Sequence, residues 1–308
     1  MLTGLDHVII GVKNLEQATE IFSRRLGLAA SGGGIHPTGG TANRIIVIGD
    51  TYLELITIRD PAEAQQSMLE RLAKGDGYVN FVLGSDNIQA DSAAMKQRGI
   101  TVVGPQGGEL RSKDGRARSW LRMDIERPDM AQHYPFIIQH DSSGEERRFR
   151  LAGWTSPPPH PSGAVRVLST TIVVENLEEA SLRFQRIYGL EPSVPYDGEI
   201  DGWDATLVAF TLGNDYQCFE LAAPLPASID PAEGSGHIPE KGALRRYLQK
   251  FGESLCRMTL EVQHIEETRR YLDRQQVTYT YQERPRPVLW IHPDHACGAA
   301  IVLYQKAD

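Results

Sequence analysis

Three residues near the start of the chain, His7, His36 and Glu54, are of the types that move protons or hold metal ions. His7 lies in the alternating stretch "LDHVIIGV", where side chains two apart share a face of a strand. On that count Leu5, His7, Ile9 and Gly11 look one way, while Val8, Ile10 and Val12 look the other and should meet a helix. In "YLELITI" the same period groups Tyr52, Glu54 and Ile56 against Leu53 and Leu55. An imidazole and a carboxylate buried in this way form either a plain hydrogen-bonded pair or a working acid–base site. His36 stands in "GGIHPTGGTAN", which lacks the spacing of a nucleotide fingerprint and starts no helix. That stretch reads as a flexible lip. Thr41 and Asn43 would touch substrate, and His36 would be an extra ligand, an acid/base at the mouth or a plain loop histidine.

A second constellation is "RARSWLRMD", where Arg116, Arg118, Trp120 and Arg122 fall on one face. Lining a pocket, Arg118, Trp120 and Arg122 would suit a carboxylate- or phosphate-bearing substrate. The competing reading is an exposed hairpin around the Asp-Gly turn of "KDGR".

The elements that must hold these residues repeat along the chain. Shifted by 162, Ile10–Leu28 falls on Ile172–Leu190 with ten of nineteen positions identical, where chance gives about one. Each copy reads as an alternating strand, then a helix capped by Asn14 or Asn176, then further strands. Gly27 and Gly189 suit the left-handed helix C-terminus. Weaker copies begin at "GYVNFVLGSDNIQA" and "SLCRMTLEVQHIEE", which makes four β-α-β-β-β units. Connecting helices are expected over about 60–74 and 240–251. The run "SSGEERRFRLAGWTSPPPHPSG" reads as an extended, proline-stiffened linker.

Four such units in two pairs resemble the vicinal oxygen chelate superfamily, and the first half is most similar to its glyoxalase-like branch. The stretches that carry the resemblance are "LDHVIIGVKNLEQA", "GGGIHPTGGTANRIIVIGDTYLELI", "YPFIIQHD" and "HPSGA". It implies an α+β fold of four tandem βαβββ modules paired into two cup-shaped domains. We expect an N-terminal domain over 1–145, a linker over 146–164 and a degenerate C-terminal domain over 165–308. The resemblance further implies metal ligands on the first and last strands of each unit. His7 and Glu54 would serve for unit one, with Asn80 and Gln139 for unit two. Two neutral amides beside one imidazole and one carboxylate suit a loosely held Mn, Mg, Zn or Ni ion, and argue against a two-histidine iron site. In the second half Ser169, Glu220, Arg257 and Val302 take the corresponding places, an ion pair instead of a metal set.

Bulk properties narrow the partners. A net charge of −8 over 308 residues disfavours nucleic acid and anionic membranes. No run of about 20 apolar residues could span a bilayer. Three scattered cysteines without a CxxC fit buried thiols in the cytoplasm, and a homodimer is compatible with the composition. The expected activity is a metal-dependent lyase or isomerase. Glu54 or His36 would move a proton next to a carbonyl of a small, oxygenated, anionic metabolite. A non-catalytic sequestering protein is the alternative, and a ring-cleaving dioxygenase ranks last.

Overall fold

The computed structural model describes all residues except 37, 112–114, 127–133, 157, 199–203, 227–241, 284–285 and 306–308. Strand β1 (Leu2–Gly11) leads into helix α1 (Leu15–Glu20), whose last turn widens into a π-helical segment at Ile21–Arg25. Strands β2 (Gly33–Ile35), β3 (Thr41–Ile48) and β4 (Thr51–Ile58) complete the first unit, and α2 (Gln66–Ala73) crosses to the second. That unit holds β5 (Gly77–Ser85), α3 (Ile88–Gln97), β6 (Val102–Arg111), β7 (Ala117–Ile125) and β8 (Phe136–His140), and α4 (Gly144–Ala152) follows it.

The plan then recurs. Unit three is β9 (Ala164–Val173), α5 (Leu177–Tyr188), β10 (Tyr196–Asp197), β11 (Ala205–Thr211) and β12 (Cys218–Pro224), and α6 (Ala243–Phe251) crosses onward. Unit four is β13 (Ser254–Val262), α7 (Ile265–Arg274), β14 (Tyr279–Gln282), β15 (Val288–Ile291) and β16 (Ala300–Tyr304). Two eight-stranded curled sheets result, ordered β2-β3-β4-β1-β5-β8-β7-β6 and β10-β11-β12-β9-β13-β16-β15-β14. In each, the first strands of two units pair antiparallel at the centre, and each lies parallel to its own unit's last strand.

Local sequence explains the helix starts. The Oδ1 atoms of Asn14, Asn87 and Asn176 each accept the amide three residues on, and each satisfies one otherwise orphaned donor. Gly189 ends α5 at φ 69°, which a side chain would resist.

Val8, Ile10, Val12, Phe22 and Leu26 share one buried interior with Phe184, Phe210 and Phe219 of the second half. The other face of each sheet is concave and has its own small clusters. Ile9, Val82, Phe136 and Ile138 form one, and Ile45, Val47 and Tyr52 another. Among the described residues no helix is long and apolar enough to cross a membrane, and all three cysteines are free.

A buried histidine–carboxylate cluster in the N-terminal cup

The pairing of β1 with β5 shifts register at three points, and the middle one falls at Asp6. Leu5 pairs with Leu83 and His7 with the next residue, Val82, so Asp6 is an extra residue in a β-bulge. Leu5 therefore joins the main interior with Val8, while His7 and Ile9 face the cup, which corrects the expectation that Leu5 and His7 share a side. The bulge turns Asp6 onto the same face as His7. Both are buried, at 3% and 4% exposure.

Asp6 is a hub. It lies 2.6 Å from His7 Nδ1, 3.3 Å from His140 Nε2 and 2.6 Å from Arg147 Nη2. Burial pushes its carboxyl up, but the Arg147 and His140 charges and its hydrogen bonds hold it well below the usual range. An ionised Asp6 has no proton to give, so Nδ1 of His7 donates and Nε2 turns toward Glu54 Oε2, 3.7 Å away. The imidazole is further fixed by stacking on Tyr52, with centroids 4.5 Å apart and planes at 13°, and by the edge of Phe136 at 5.9 Å.

Glu54 is the second centre. Asn43 Nδ2 donates to its Oε1 at 2.5 Å and lies 3.1 Å from His36 Nε2, which is itself 3.4 Å from that oxygen. Asn43 is held in turn by Gly34 N–H donating to its Oδ1, and His36 Nδ1 lies 2.7 Å from Thr41 Oγ1. Burial raises the Glu54 carboxyl, yet the His36 hydrogen bond, the charges of His7 and His36 and the Asn43 bond outweigh it and hold it at about 2. His7, His36, Thr41, Asn43 and Glu54 are thus brought together. His36, its side chain 22% exposed, is the most accessible of the three ionisable groups.

Asn80 and Gln139 are not brought to this cluster. Asn80 pairs with Ile9, one step from His7, and its amide donates to Tyr134 O while its Oδ1 accepts Phe81 N–H. Gln139 points to the helical side, where Oε1 accepts Ile88 N–H at the start of α3. Matching "FIIQH" to "YLELI" slips the face by one residue, since Phe136, Ile138 and His140 face the cup. His140 is the residue that the sequence comparison missed. Asp6 and Arg147 were missed too.

The β7 wall lies on the same face. Trp120 pairs with His140 and its indole lies across Gly108, where a Cβ would come within 2.6 Å of the ring. Trp120 and His140 border an open cleft of about 520 Å³. Arg122 forks onto Asp124 with two 2.7 Å bonds and lies 3.8 Å over Phe136. Arg118 lies 6.0 Å from the Trp120 ring. The segment expected to be a plain linker starts as α4, whose Leu151 packs on Ile45, Val47 and Tyr52 inside the cup. The acids at its start and the arginines after them favour a helix that the proline-rich composition downstream disguises.

The sequence model described as "Glyoxalase-like domain" matches residues 5–188. The chain belongs to the glyoxalase-like domain family. No curated protein matches it. In fold, this glyoxalase-like chain is similar to a hypothetical protein from Staphylococcus aureus at 13% identity and TM-score 0.66, covering 99% of this chain and 100% of that one. It is also similar to a mutant 4-hydroxymandelate synthase from Streptomyces coelicolor at 10% identity and TM-score 0.61, covering 99% and 93%. A methylmalonyl-CoA epimerase from Mycobacterium tuberculosis aligns over 47% of this chain and 91% of its own, at 18% identity and TM-score 0.38.

The second cup of this glyoxalase-like protein has different chemistry. Glu220 accepts from Arg257 Nη2 at 2.9 Å, Thr171 Oγ1 at 2.6 Å, Ser169 Oγ at 3.2 Å and Tyr196 OH at 2.7 Å. Leu244, Tyr247 and Leu248 of α6 pack there against Trp290 and Val302. Its carboxylate is matched by a buried arginine, and its apolar wall is covered by the chain's own helix.

Among the described residues no three His, Cys, Asp or Glu side chains close into a metal centre. The cluster is looser. His7 Nε2 stands 3.7 Å from Glu54 Oε2, too far for a hydrogen bond, and a neutral imidazole there would need a proton or a cation between it and the carboxylate. Two imidazole nitrogens and one carboxylate are donors suited to Zn, Mn, Ni or Fe, while the amide oxygens that would have favoured Mg are engaged elsewhere.

Proposed function

We propose that the N-terminal cup is an enzyme active site that moves a proton next to a carbonyl on a small, oxygenated, anionic metabolite, as a lyase or isomerase. The carrying observation is the approach of His7 Nε2 and His36 Nε2 to the two oxygens of one buried carboxylate, with Asp6 fixing the first imidazole from behind. A divalent ion would be held by His7 and Glu54, and would supply polarisation of the substrate oxygens.

The protein's own groups divide the remaining work. Glu54, held at about 2, is too weak a base at neutral pH to carry the proton, because a catalytic acid–base group works best with a pKa near the working pH. It serves as a fixed negative charge. His36, bonded through Nδ1 to Thr41 and reachable from the mouth, is the proton carrier. Tyr52 and Phe136 wall His7 off from water, which strengthens each electrostatic contact inside.

A second reading has one observation in its favour. Two histidines and one carboxylate are also the donor set of non-haem iron oxygenases, so the objection drawn from Asn80 and Gln139 no longer stands. The deciding experiment incubates the divalent-metal-loaded protein with small 2-oxo and 2-hydroxy acids in deuterium oxide. Deuterium entering the carbon next to the carbonyl, and falling by about 10²–10⁴ in His36→Asn, supports proton transfer. Oxygen uptake with iron and no exchange supports the oxygenase. Tight binding of an aromatic or peptide-like ligand with neither reaction would mean a sequestering protein.

A further inference from the structure

The bulge at Asp6 leaves the backbone of Leu5 beside a break in the β1–β5 pairing. Leu5 is buried, and a buried N–H or carbonyl there needs a partner from elsewhere. Side chains supply both. Leu5 N–H donates to Gln217 Oε1 at 2.8 Å, and Leu5 O accepts from Thr51 Oγ1 at 2.8 Å. Arg147 Nη2 reaches the next carbonyl, Asp6 O, at 3.3 Å. Gln217 stands in the C-terminal half, immediately before β12.

Gln217 is 3% exposed and uses every hydrogen-bonding position of its amide. Its Oε1 accepts from Leu5 N–H and from Asn214 Nδ2 at 2.6 Å, while Nε2 donates to Val167 O and to Thr51 Oγ1, both at 2.9 Å. These partners fix which way the amide points, because Leu5 N–H can only donate and Val167 O can only accept. Thr51 Oγ1, accepting from Nε2, passes its own hydrogen to Leu5 O. One side chain therefore governs both backbone groups of Leu5, the first directly and the second through Thr51. The turn before β12 holds it in place: Asn214 Oδ1 accepts Gln217 N–H at 3.0 Å, and Gly213 N–H donates to Leu2 O at 3.2 Å. Gly4 leaves the room required, since a Cβ there would lie 2.6 Å from Gln217 Oε1.

We propose that Gln217 is a positioning residue for the N-terminal site, acting on it from the other half of the chain. By holding Leu5 on the interior side of the bulge, it keeps the extra residue, Asp6, turned into the cup against His7 Nδ1. Without Gln217 the Leu5 N–H is buried with no acceptor. The strand then gains by sliding back toward regular pairing, which rotates Asp6 away from His7. The effect on Asp6 and His7 is independent of the reaction catalysed, and only its consequence for turnover rests on the proton-transfer reading. The half of the chain that carries Ser169 in place of a histidine thus still contributes to the first site.

The test is NMR of the full chain, metal-free and labelled with ¹⁵N-histidine. His7 is buried, so its Nδ1 proton, bonded to Asp6, should give a downfield nitrogen-coupled signal that His7→Asn lacks. Gln217→Met keeps the length of the side chain and loses its hydrogen bonds. It should broaden that signal beyond detection or move it upfield. Asn214→Ala, which loosens Gln217 through its turn, should move the signal the same way to a smaller extent. His160→Asn, which cuts ties to Ala29 and Val47 elsewhere in the first unit, should leave it in place. The signal reports geometry in the absence of metal and substrate, so a failed deuterium-exchange experiment leaves this result intact. The role of Gln217 is overturned if the wild type shows no such proton, if folded Gln217→Met keeps it unchanged, or if His160→Asn loses it equally. Should Gln217→Met not fold, an unchanged signal in Asn214→Ala overturns it and a shifted one supports it.

Discussion

Asp6 and His7 are consecutive residues of one strand, yet their side chains meet on the same face at 2.6 Å. Strand geometry forbids this without the bulge that gives β1 one residue more than β5 at that point. The bulge makes Asp6 a positioning residue: it fixes the His7 tautomer and neutralises Arg147. Asp6→Asn should therefore have two effects. Activity should fall about 10–100-fold through lost orientation of His7. Stability should fall by roughly 3 kcal/mol, because Arg147 is left unpaired. Chemical denaturation of Asp6→Asn/Arg147→Met should recover most of the stability and none of the activity. Recovery of both would reduce Asp6 to a structural role.

Asn43 holds Glu54 and His36 in one network, so Asn43→Ala should weaken both. Without that donor the Glu54 carboxyl should titrate higher than about 2, and His36 should lose its fixed orientation. We expect kcat to drop by about tenfold or more while KM changes less. A pure KM effect would place Asn43 in substrate binding alone.

His160, in the run after α4, ties that segment to the first unit. Its Nδ1 accepts Ala29 N–H at 2.9 Å and its Nε2 donates to Val47 O at 2.9 Å. Burial lowers its pKa. The unfolded chain takes up the proton first as pH falls below about 6.5, so stability is full above that value and declines as pH drops toward the folded-state pKa. Urea titrations between pH 7 and 5 should show a steeper loss for wild type than for His160→Asn. The variant should be less stable by about 1–2 kcal/mol at pH 7.5. Parallel curves would contradict this.

The Glu220–Arg257 pair should matter to folding and not to turnover. Burial raises the Glu220 carboxyl, but Arg257 and the hydroxyls of Thr171 and Tyr196 pull it below its ordinary value. Its contribution is therefore present above about pH 4.5 and is lost as pH falls further. Either single replacement, Glu220→Gln or Arg257→Met, should cost roughly 3–5 kcal/mol, and the pair together clearly less than the sum. Thermal melts check the energies. Unchanged deuterium exchange by the double variant checks that the second cup takes no part.

The architecture was legible because repetition and strand alternation are carried by many residues at once, from Ile10–Leu28 to its copy at Ile172–Leu190. His7 and Glu54 were legible for the same reason. What escaped were one-residue events. A bulge at Asp6 leaves no mark in "LDHVII", and a slip by one in "FIIQH" exchanges Gln139 for His140. Helix α4 did have a signature in "SGEERRFRLAG", with Ser143 at the N-cap, acids first and Gly153 in the left-handed C-terminal position. The proline run that follows it dominated the composition.

The most direct test is calorimetric titration of the metal-stripped protein with Mn²⁺ and Zn²⁺. One site of wild-type affinity should survive in Asn80→Ala and Gln139→Ala, and should weaken at least tenfold in each of His7→Asn and Glu54→Gln. No binding by the wild type, or loss in the two amide variants with Glu54→Gln unaffected, would contradict a working cluster built from His7, His36 and Glu54.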